Sequence, residues 1–209
     1  EKKKPDIIIH LAANNPAFGE KNFKTFYIEN PKFTKNMLDK AKFLNSKIKV
    51  IFANSSQIFK SKKGRVNENS IYKVTSDYTK FRIEALKYLE KLKINYTNLI
   101  LFNHDSIYRN QKFLIPRIIK ALKNKNKKFI QEIVNNNIHG DFSHADDICK
   151  AIYKLSVTDK KIKNLILSSN KCTHINEIVK FLIKKNKLKI KIKFNTFKKT
   201  DCLVGNNLK

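Results

Sequence analysis

The apolar residues of this chain collect in short runs separated by longer stretches of helical spacing. Residues 6–13 (DIIIHLAA), 49–53 (KVIFA), 97–102 (TNLILF) and 164–167 (NLIL) are brief and apolar, without strict alternation. Such runs predict strands buried on both faces by helices. Between them, residues 32–43 place Phe33, Met37, Leu38 and Ala41 at helical intervals, and residues 77–91 do the same with Phe81, Ala85, Leu86 and Leu89. Residues 114–122 read as a helix with Pro116 in its first turn, the one place a helix tolerates proline. Residues 146–155 read as a further helix. Thr173, His174 and the residues 176–183 resemble a capped helix start, with Glu177 near the capping-box position. Residues 189–194 (KIKIKF) alternate cleanly, which predicts a half-exposed strand in a peripheral sheet.

Strands alternating with helices in this cadence predict an α/β fold with a doubly wound parallel sheet. The cadence loosens after about residue 113. Residues 1–112 are therefore assigned to the sheet domain. Residues 113–209 are assigned mostly to a smaller α/β lobe with interleaved sheet elements.

The run at 97–102 breaks abruptly into Asn103, His104 and Asp105. Ligands of open α/β sheets bind just beyond the carboxyl ends of the strands. Asn103, His104 and Arg109 are thus candidates to touch one.

Composition narrows the possibilities. No run of eighteen apolar residues exists, so no membrane span is expected, and no leader pattern is present. The chain opens EKKKPDIII, almost directly on a strand, which suggests a beginning further upstream. The formal charge is +28, but its lysines are spread over every segment and arginines are few. Arginine is the residue best suited to reading bases and clamping phosphates. This pattern weighs against nucleic acid and suits a small anionic ligand equally well. Cys149, Cys172 and Cys202 have neither metal-ligand spacing nor an even count. They are expected to be free thiols of a reducing cytoplasm, with no metal site.

Residues 102–118, FNHDSIYRNQKFLIPRI, resemble without a gap the FNHESPRRGENFVTRKI segment of the GDP-mannose 4,6-dehydratases. That family belongs to the extended short-chain dehydrogenases/reductases. Residues 138–148, IHGDFSHADDI, are similar to its KRDWGHAKDY region, matching at Asp141, His144, Ala145 and Asp147, with Gly140 at an Arg position. Residues 196–206, TFKKTDCLVGN, lie over RPAEVDLLLGD and keep Asp201 and Gly205, while Thr196 and Lys199 stand where the family has Arg and Glu. The resemblance implies a Rossmann-like sheet with a small substrate-binding lobe. It also implies that the glycine-rich turn lies upstream, since Gly19, Gly64, Gly140 and Gly205 form no such fingerprint.

The resemblance further implies a set of site residues. In the family a strand ending HLAA lies against the cofactor, which here gives Leu11, Ala12, Ala13, Asn14 and Asn15 after His10. The family's STSELYG becomes NSSQIFK at 54–60. Ser55 then falls on the substrate-contacting, catalytic Thr, and Gln57 on the Glu that shuttles the C5 proton. An amide has no pKa useful for that work.

Aligned from Glu68, Tyr78 takes the place of the catalytic Tyr and Arg82 that of its Lys, which also bonds the nicotinamide ribose. A phenol titrates near pKa ~10 and needs a neighbouring cation to act as a base. Lys80 would face elsewhere on the helix. His104 and Arg109 match cofactor contacts, and Asn103 matches a substrate contact. The cofactor implied is NADP, with NAD as the alternative.

The partners implied are a nucleotide sugar and a second copy of the chain, in a dimer or tetramer built on the long helices. The first reading is a dehydratase converting GDP-mannose to GDP-4-keto-6-deoxymannose, a cytoplasmic step toward GDP-fucose. Gln57 brings in a second, a related sugar-nucleotide reductase or epimerase. The third is a non-catalytic remnant of the family.

Overall fold

The computed structural model describes residues 4–13, 23–197 and 202–206. Asn14, Asn15, Lys199 and Asp201 lie outside the described residues. The chain runs β1 (Ile7–His10), α1 (Phe23–Leu44), β2 (Lys49–Ser55), a 3-10 turn (Ser56–Ile58), β3 (Gly64–Val66), α2 (Asp77–Leu92) and β4 (Asn95–Leu101). It continues through β5 (Asn103–Asp105), α3 (Leu114–Lys123), α4 (Lys127–Asn135), β6 (His139–His144) and α5 (Ala145–Val157). It closes with β7 (Asn164–Leu167), β8 (Cys172–His174), α6 (Ile175–Lys185) and β9 (Leu203–Gly205).

Four strands form an all-parallel sheet in the order β1-β2-β4-β7. Along β2, Val50 and Phe52 pack against Leu38 of α1 and Phe81 and Leu89 of α2. Ile51 points the other way, onto Leu99 and onto Ile148, Ile152 and Leu155 of α5. Helices therefore cover both faces, as the unalternating run requires. Each fully buried side chain of this size contributes about 1.5–3 kcal/mol.

The start of α2 is fixed by a capping box. The Ser76 hydroxyl accepts from the Thr79 N–H at 3.2 Å, and the Thr79 hydroxyl accepts from the Ser76 N–H at 2.9 Å. Reciprocal caps of this kind satisfy two donors that a helix otherwise leaves orphaned. They also set Tyr78 in the first turn.

Three expectations need correction. The first concerns residues 6–13, of which only Ile7–His10 form a strand. Among the described residues that strand has β2 as its one neighbour, and Ile7, Ile9 and Leu11 are 37%, 43% and 54% exposed. An apolar run predicts burial only where neighbours exist on both sides, and among the described residues β1 has β2 alone.

The second concerns residues 189–194, which form no strand. Their alternation is real, but Ile190, Ile192 and Phe194 pack on a helical core made by Ile118, Ile130, Val134 and Val179. The Gln131 amide holds the segment, donating to the Lys193 carbonyl at 2.7 Å and accepting from its N–H at 3.0 Å.

The third concerns the cysteines. Cys172 and Cys202 are joined in a disulfide, with Cα atoms 5.7 Å apart, and Cys149 is free and exposed. Thirty positions separate the partners along the chain, and the fold brings them together. β9 pairs in parallel with β3. There Gly205 passes so close to Ile166 and Ser168 that a Cβ would collide with both.

The helix start expected near Thr173 and His174 is α6, capped by His174, whose backbone N–H Glu177 accepts at 3.3 Å. Among the described residues no helix is long and apolar enough to cross a membrane.

Candidate active site

The carboxyl ends of β2 and β4 lie side by side, with Ser55 opposite Leu101. Ser55 ends β2 and caps the 3-10 turn, its hydroxyl accepting from the Gln57 N–H at 3.3 Å. Gln57 is exposed. Its backbone carbonyl accepts from Lys62 Nζ at 2.9 Å.

Tyr78 and Arg82 lie one turn apart on α2. The Arg82 guanidinium carbon is 5.1 Å from the centre of the Tyr78 ring and 5.2 Å from that of Phe81. Arg82 is buried, and its Nη1 donates to the Ala53 carbonyl at 2.6 Å, near the end of β2. Lys80, two residues earlier, is exposed. The cation beside the phenol is thus Arg82, bound to the strand that carries Ser55.

His10 completes this corner at the end of β1. It is buried, shares a hydrogen bond of 3.0 Å with the Thr34 hydroxyl, and stands 5.5 Å from the Phe52 ring. Burial first, and then the Arg82 charge, holds its pKa down at about 4. Near neutral pH the ring is uncharged, so it does not compete with Arg82. Leu11 and Ala12 follow it exposed, and Ala13 half-buried.

A second group gathers where β4 runs on into β5. Asn103 is exposed and His104 half-buried, with His104 Nδ1 2.9 Å from the Phe102 carbonyl. A Cβ on Gly140 would come within 3.0 Å of the Asn103 amide nitrogen, so the glycine gives Asn103 its room. Burial raises the pKa of Asp105, against the opposing pull of the Ser106 N–H and of Arg109. The Arg109 guanidinium stacks 3.7 Å from the Phe113 ring centre. Its buried Nε has no hydrogen-bond partner among the described residues. His144 and Asp141 serve the framework. His144 caps α5 by accepting from the Asp146 N–H at 3.2 Å, and buried Asp141 accepts from the Ser169 N–H and hydroxyl, both at 2.7 Å.

The structure therefore brings Tyr78 and Arg82 together and ties Arg82 to β2 two residues before Ser55, while Asn103 and His104 lie on β5, in the separate β5-β6-β8 sheet, with Arg109 following them. Sequence reasoning missed a basic groove of about 410 Å³ between α3 and α4, lined by Lys112, Arg117, Lys120, Asn124 and Phe129. Arg117 stands 4.9 Å from the Phe129 ring centre. Its signal was present in the recurrence of Arg117, Lys120 and Asn124 on one face of α3.

Comparison with known proteins adds to this geometry. A family model described as GDP-mannose 4,6 dehydratase matches residues 1–204. A GDP-6-deoxy-D-talose 4-dehydrogenase from Aggregatibacter actinomycetemcomitans is 28% identical over 185 residues, covering 84% of this chain. The match spans 58% of that relative's length.

Among solved structures, RMD from Pseudomonas aeruginosa, complexed with NADPH, is similar at a TM-score of 0.80 and 16% identity, over 99% of this chain and 74% of that one. A UDP-N-acetylglucosamine 4-epimerase from Methanobrevibacter ruminantium, bound to UDP-N-acetylmuramic acid, gives 0.79 at 19% identity, over 97% and 68%. A dTDP-glucose 4,6-dehydratase from Streptomyces venezuelae, with NAD bound, gives 0.73 at 15%, over 96% and 64%. At these identities the likeness establishes the fold.

Proposed function

From the premise that this chain belongs to the GDP-mannose 4,6-dehydratase family, we propose that it acts on C4 of a GDP-linked hexose with a nicotinamide dinucleotide. One observation carries the reading, the Tyr78 ring beside a buried Arg82 that is bound to the Ser55 strand. A nicotinamide dinucleotide, when bound, supplies the hydride acceptor or donor. Tyr78 exchanges the proton of the C4 oxygen, and the guanidinium stabilises negative charge developing on the phenol. The Ser55 hydroxyl orients the same oxygen.

The residues present fit the dinucleotide on its nicotinamide side, where Tyr78, Arg82, His104 and Arg109 would hold it with Leu11, Ala12 and Ala13. The buried, unpartnered Nε of Arg109 is a donor suited to a phosphate oxygen. Both NAD and NADP carry such oxygens, and NADP is preferred because the segment around Arg109 resembles that of the NADP-using family. Residues 113–209 would supply most of the substrate side, and the basic groove at Arg117 suits the anionic nucleotide. A homo-oligomer through α1 and α2 belongs to the same proposal, since α1 leaves Ile28, Phe33 and Phe43 exposed.

Gln57 separates the two forms this activity can take. Its amide neither gives nor takes a proton near neutral pH, so elimination across C5 and C6 has no acid/base at that position. This favours oxidoreduction at C4 alone, as the name of the dehydrogenase relative also does. Family membership favours the full dehydratase.

The test is to supply the gene product with GDP-mannose and NADP, and separately with a GDP-4-keto-6-deoxyhexose and NADPH. Nicotinamide absorbance and the sugar protons by NMR are then followed. Consumption of NADPH with loss of the ketone supports C4 reduction. A 4-keto-6-deoxy product from GDP-mannose, with no net nicotinamide change, supports the dehydratase. No turnover of either mixture, or turnover that survives Tyr78→Phe, overturns the proposal.

A further inference from the structure

Three asparagine side chains, two buried and the third half-buried, form a line across the sheet behind Ser55. The Ser55 backbone N–H donates to Asn54 Oδ1 at 2.8 Å. Asn54 Nδ2 donates to Asn98 Oδ1 at 2.9 Å, and Asn98 Nδ2 donates to Asn164 Oδ1 at 2.9 Å. Asn98 is wholly buried and Asn54 is 3% exposed. One residue each from β2, β4 and β7 takes part.

The direction of the line follows from chemistry. A backbone N–H can only donate, so Asn54 must turn its oxygen toward Ser55. Its nitrogen is left to donate, Asn98 must accept with oxygen, and the order passes on to Asn164. Each amide therefore has one orientation that satisfies its neighbours, and reversing one would oppose donor to donor inside the sheet. Leaving a buried amide group unsatisfied forfeits its solvation without return, so the array holds together or fails together.

Packing of the strands alone does not call for this. Ile100 lies opposite Asn54 and Phe52 opposite Asn98, so the same face accepts large apolar side chains. The amides instead fix the peptide at the very end of β2, where Ser55 turns from strand into the 3-10 turn.

We propose that Asn98, acting through Asn54, is the positioning residue for Ser55, with Asn164 as the outer anchor. This rests on the role given to Ser55 in the proposed function. Removing the Asn98 amide frees Asn54 to turn, lets the Ser55 peptide rotate, and moves its hydroxyl off the C4 oxygen. A misplacement of that kind costs rate and leaves the binding of the dinucleotide unchanged.

The test is Asn98→Leu, alone and combined with Ser55→Ala, read by kcat, KM and the amide spectrum. We expect kcat to fall about tenfold or more with the dinucleotide Kd within about twofold of wild type. In the Ser55→Ala background, Asn98→Leu should lower kcat by less than about twofold, because residues acting through one group do not add. Additive losses would overturn the proposal.

The Ser55 amide resonance and its hydrogen exchange are read in parallel and need no turnover. A protein inactive on every sugar tried, but with a displaced and deprotected Ser55 amide in Asn98→Leu, would refute the catalytic reading and retain the positioning. An unmoved Ser55 amide would refute the positioning whatever the activity. If Asn98→Leu does not fold, Asn164→Ala at the half-exposed end supplies the same readouts. It should shift the Ser55 amide, two hydrogen bonds further on, and an unshifted amide there overturns the proposal too.

Discussion

In the sheet, Val50 and Phe52 face α1 and α2 while Ile51, between them, faces α5. On the core made by α3, α4 and α6, Ile190, Ile192 and Phe194 alternate in the same manner and meet helices, clamped by the Gln131 amide. One pattern thus has two outcomes. A strand inside a sheet inherits its partners from chain order, since β2 is followed through α2 by its neighbour β4. A segment laid over helices takes whatever partner the packing offers. Alternation reports which residues are covered, and chain connectivity reports by what.

The largest expected effect lies in the sheet. Phe52→Ala removes a ring buried between two helices and should cost about 3–5 kcal/mol of stability. Hydrogen exchange read at Leu99 and at Val179 tests the comparison. Leu99 should lose protection and Val179 should keep most of its own. Equal losses would show that the sheet and the core of α3, α4 and α6 unfold as one unit.

Next comes the disulfide. Cys202→Ser opens a loop that spans 30 positions, which the chain-entropy argument values at about 3.6 kcal/mol. Exchange in β8 and β9 should rise while the sheet amides stay as they were. A uniform rise would again join the two regions.

The smallest effect returns to the sheet. His10 is held at about 4, below its ordinary value, so between pH 6.5 and pH 4 the unfolded chain binds a proton that the folded one refuses. Its contribution is complete above pH 6.5 and is lost as pH falls through that window. Allowing for solvent screening, denaturation midpoints should register a loss of roughly 1–2 kcal/mol between pH 7 and pH 5, absent in His10→Phe.

What the sequence showed plainly were the elements whose evidence is local. Residues 164–167 form the strand Asn164–Leu167, where three apolar positions in a row after Asn164 suit a short buried strand. Pro116 sits in the first turn of α3, and Asp77 opens α2 behind its Ser76 cap, both governed by residues within four positions. The Tyr78 and Arg82 spacing also brought those two side chains onto one face, as helical geometry dictates.

The rest depended on contacts distant along the chain. Cys172 and Cys202 give no hint of pairing in spacing or count. The exposure of Ile7 and Ile9 goes with β2 being the one neighbour of β1 among the described residues. The amide line from Asn54 to Asn164 draws on three strands, and each asparagine read separately is an ordinary polar interruption of an apolar run. Arg117 was visible only inside a motif, because the aromatic partner that makes it part of a groove belongs to the following helix.

The +28 formal charge has a consequence for how the molecule behaves in bulk. It holds copies apart at long range, but only over the screening distance of the solution, about 10 Å at 0.1 M salt and about 3 Å at 1 M. Once that repulsion is screened, copies can meet on the apolar side chains that α1 displays, Ile28, Phe33 and Phe43. Colloidal stability of a preparation should therefore fall as salt is added, and dilute buffer is the condition in which the molecule stays dispersed.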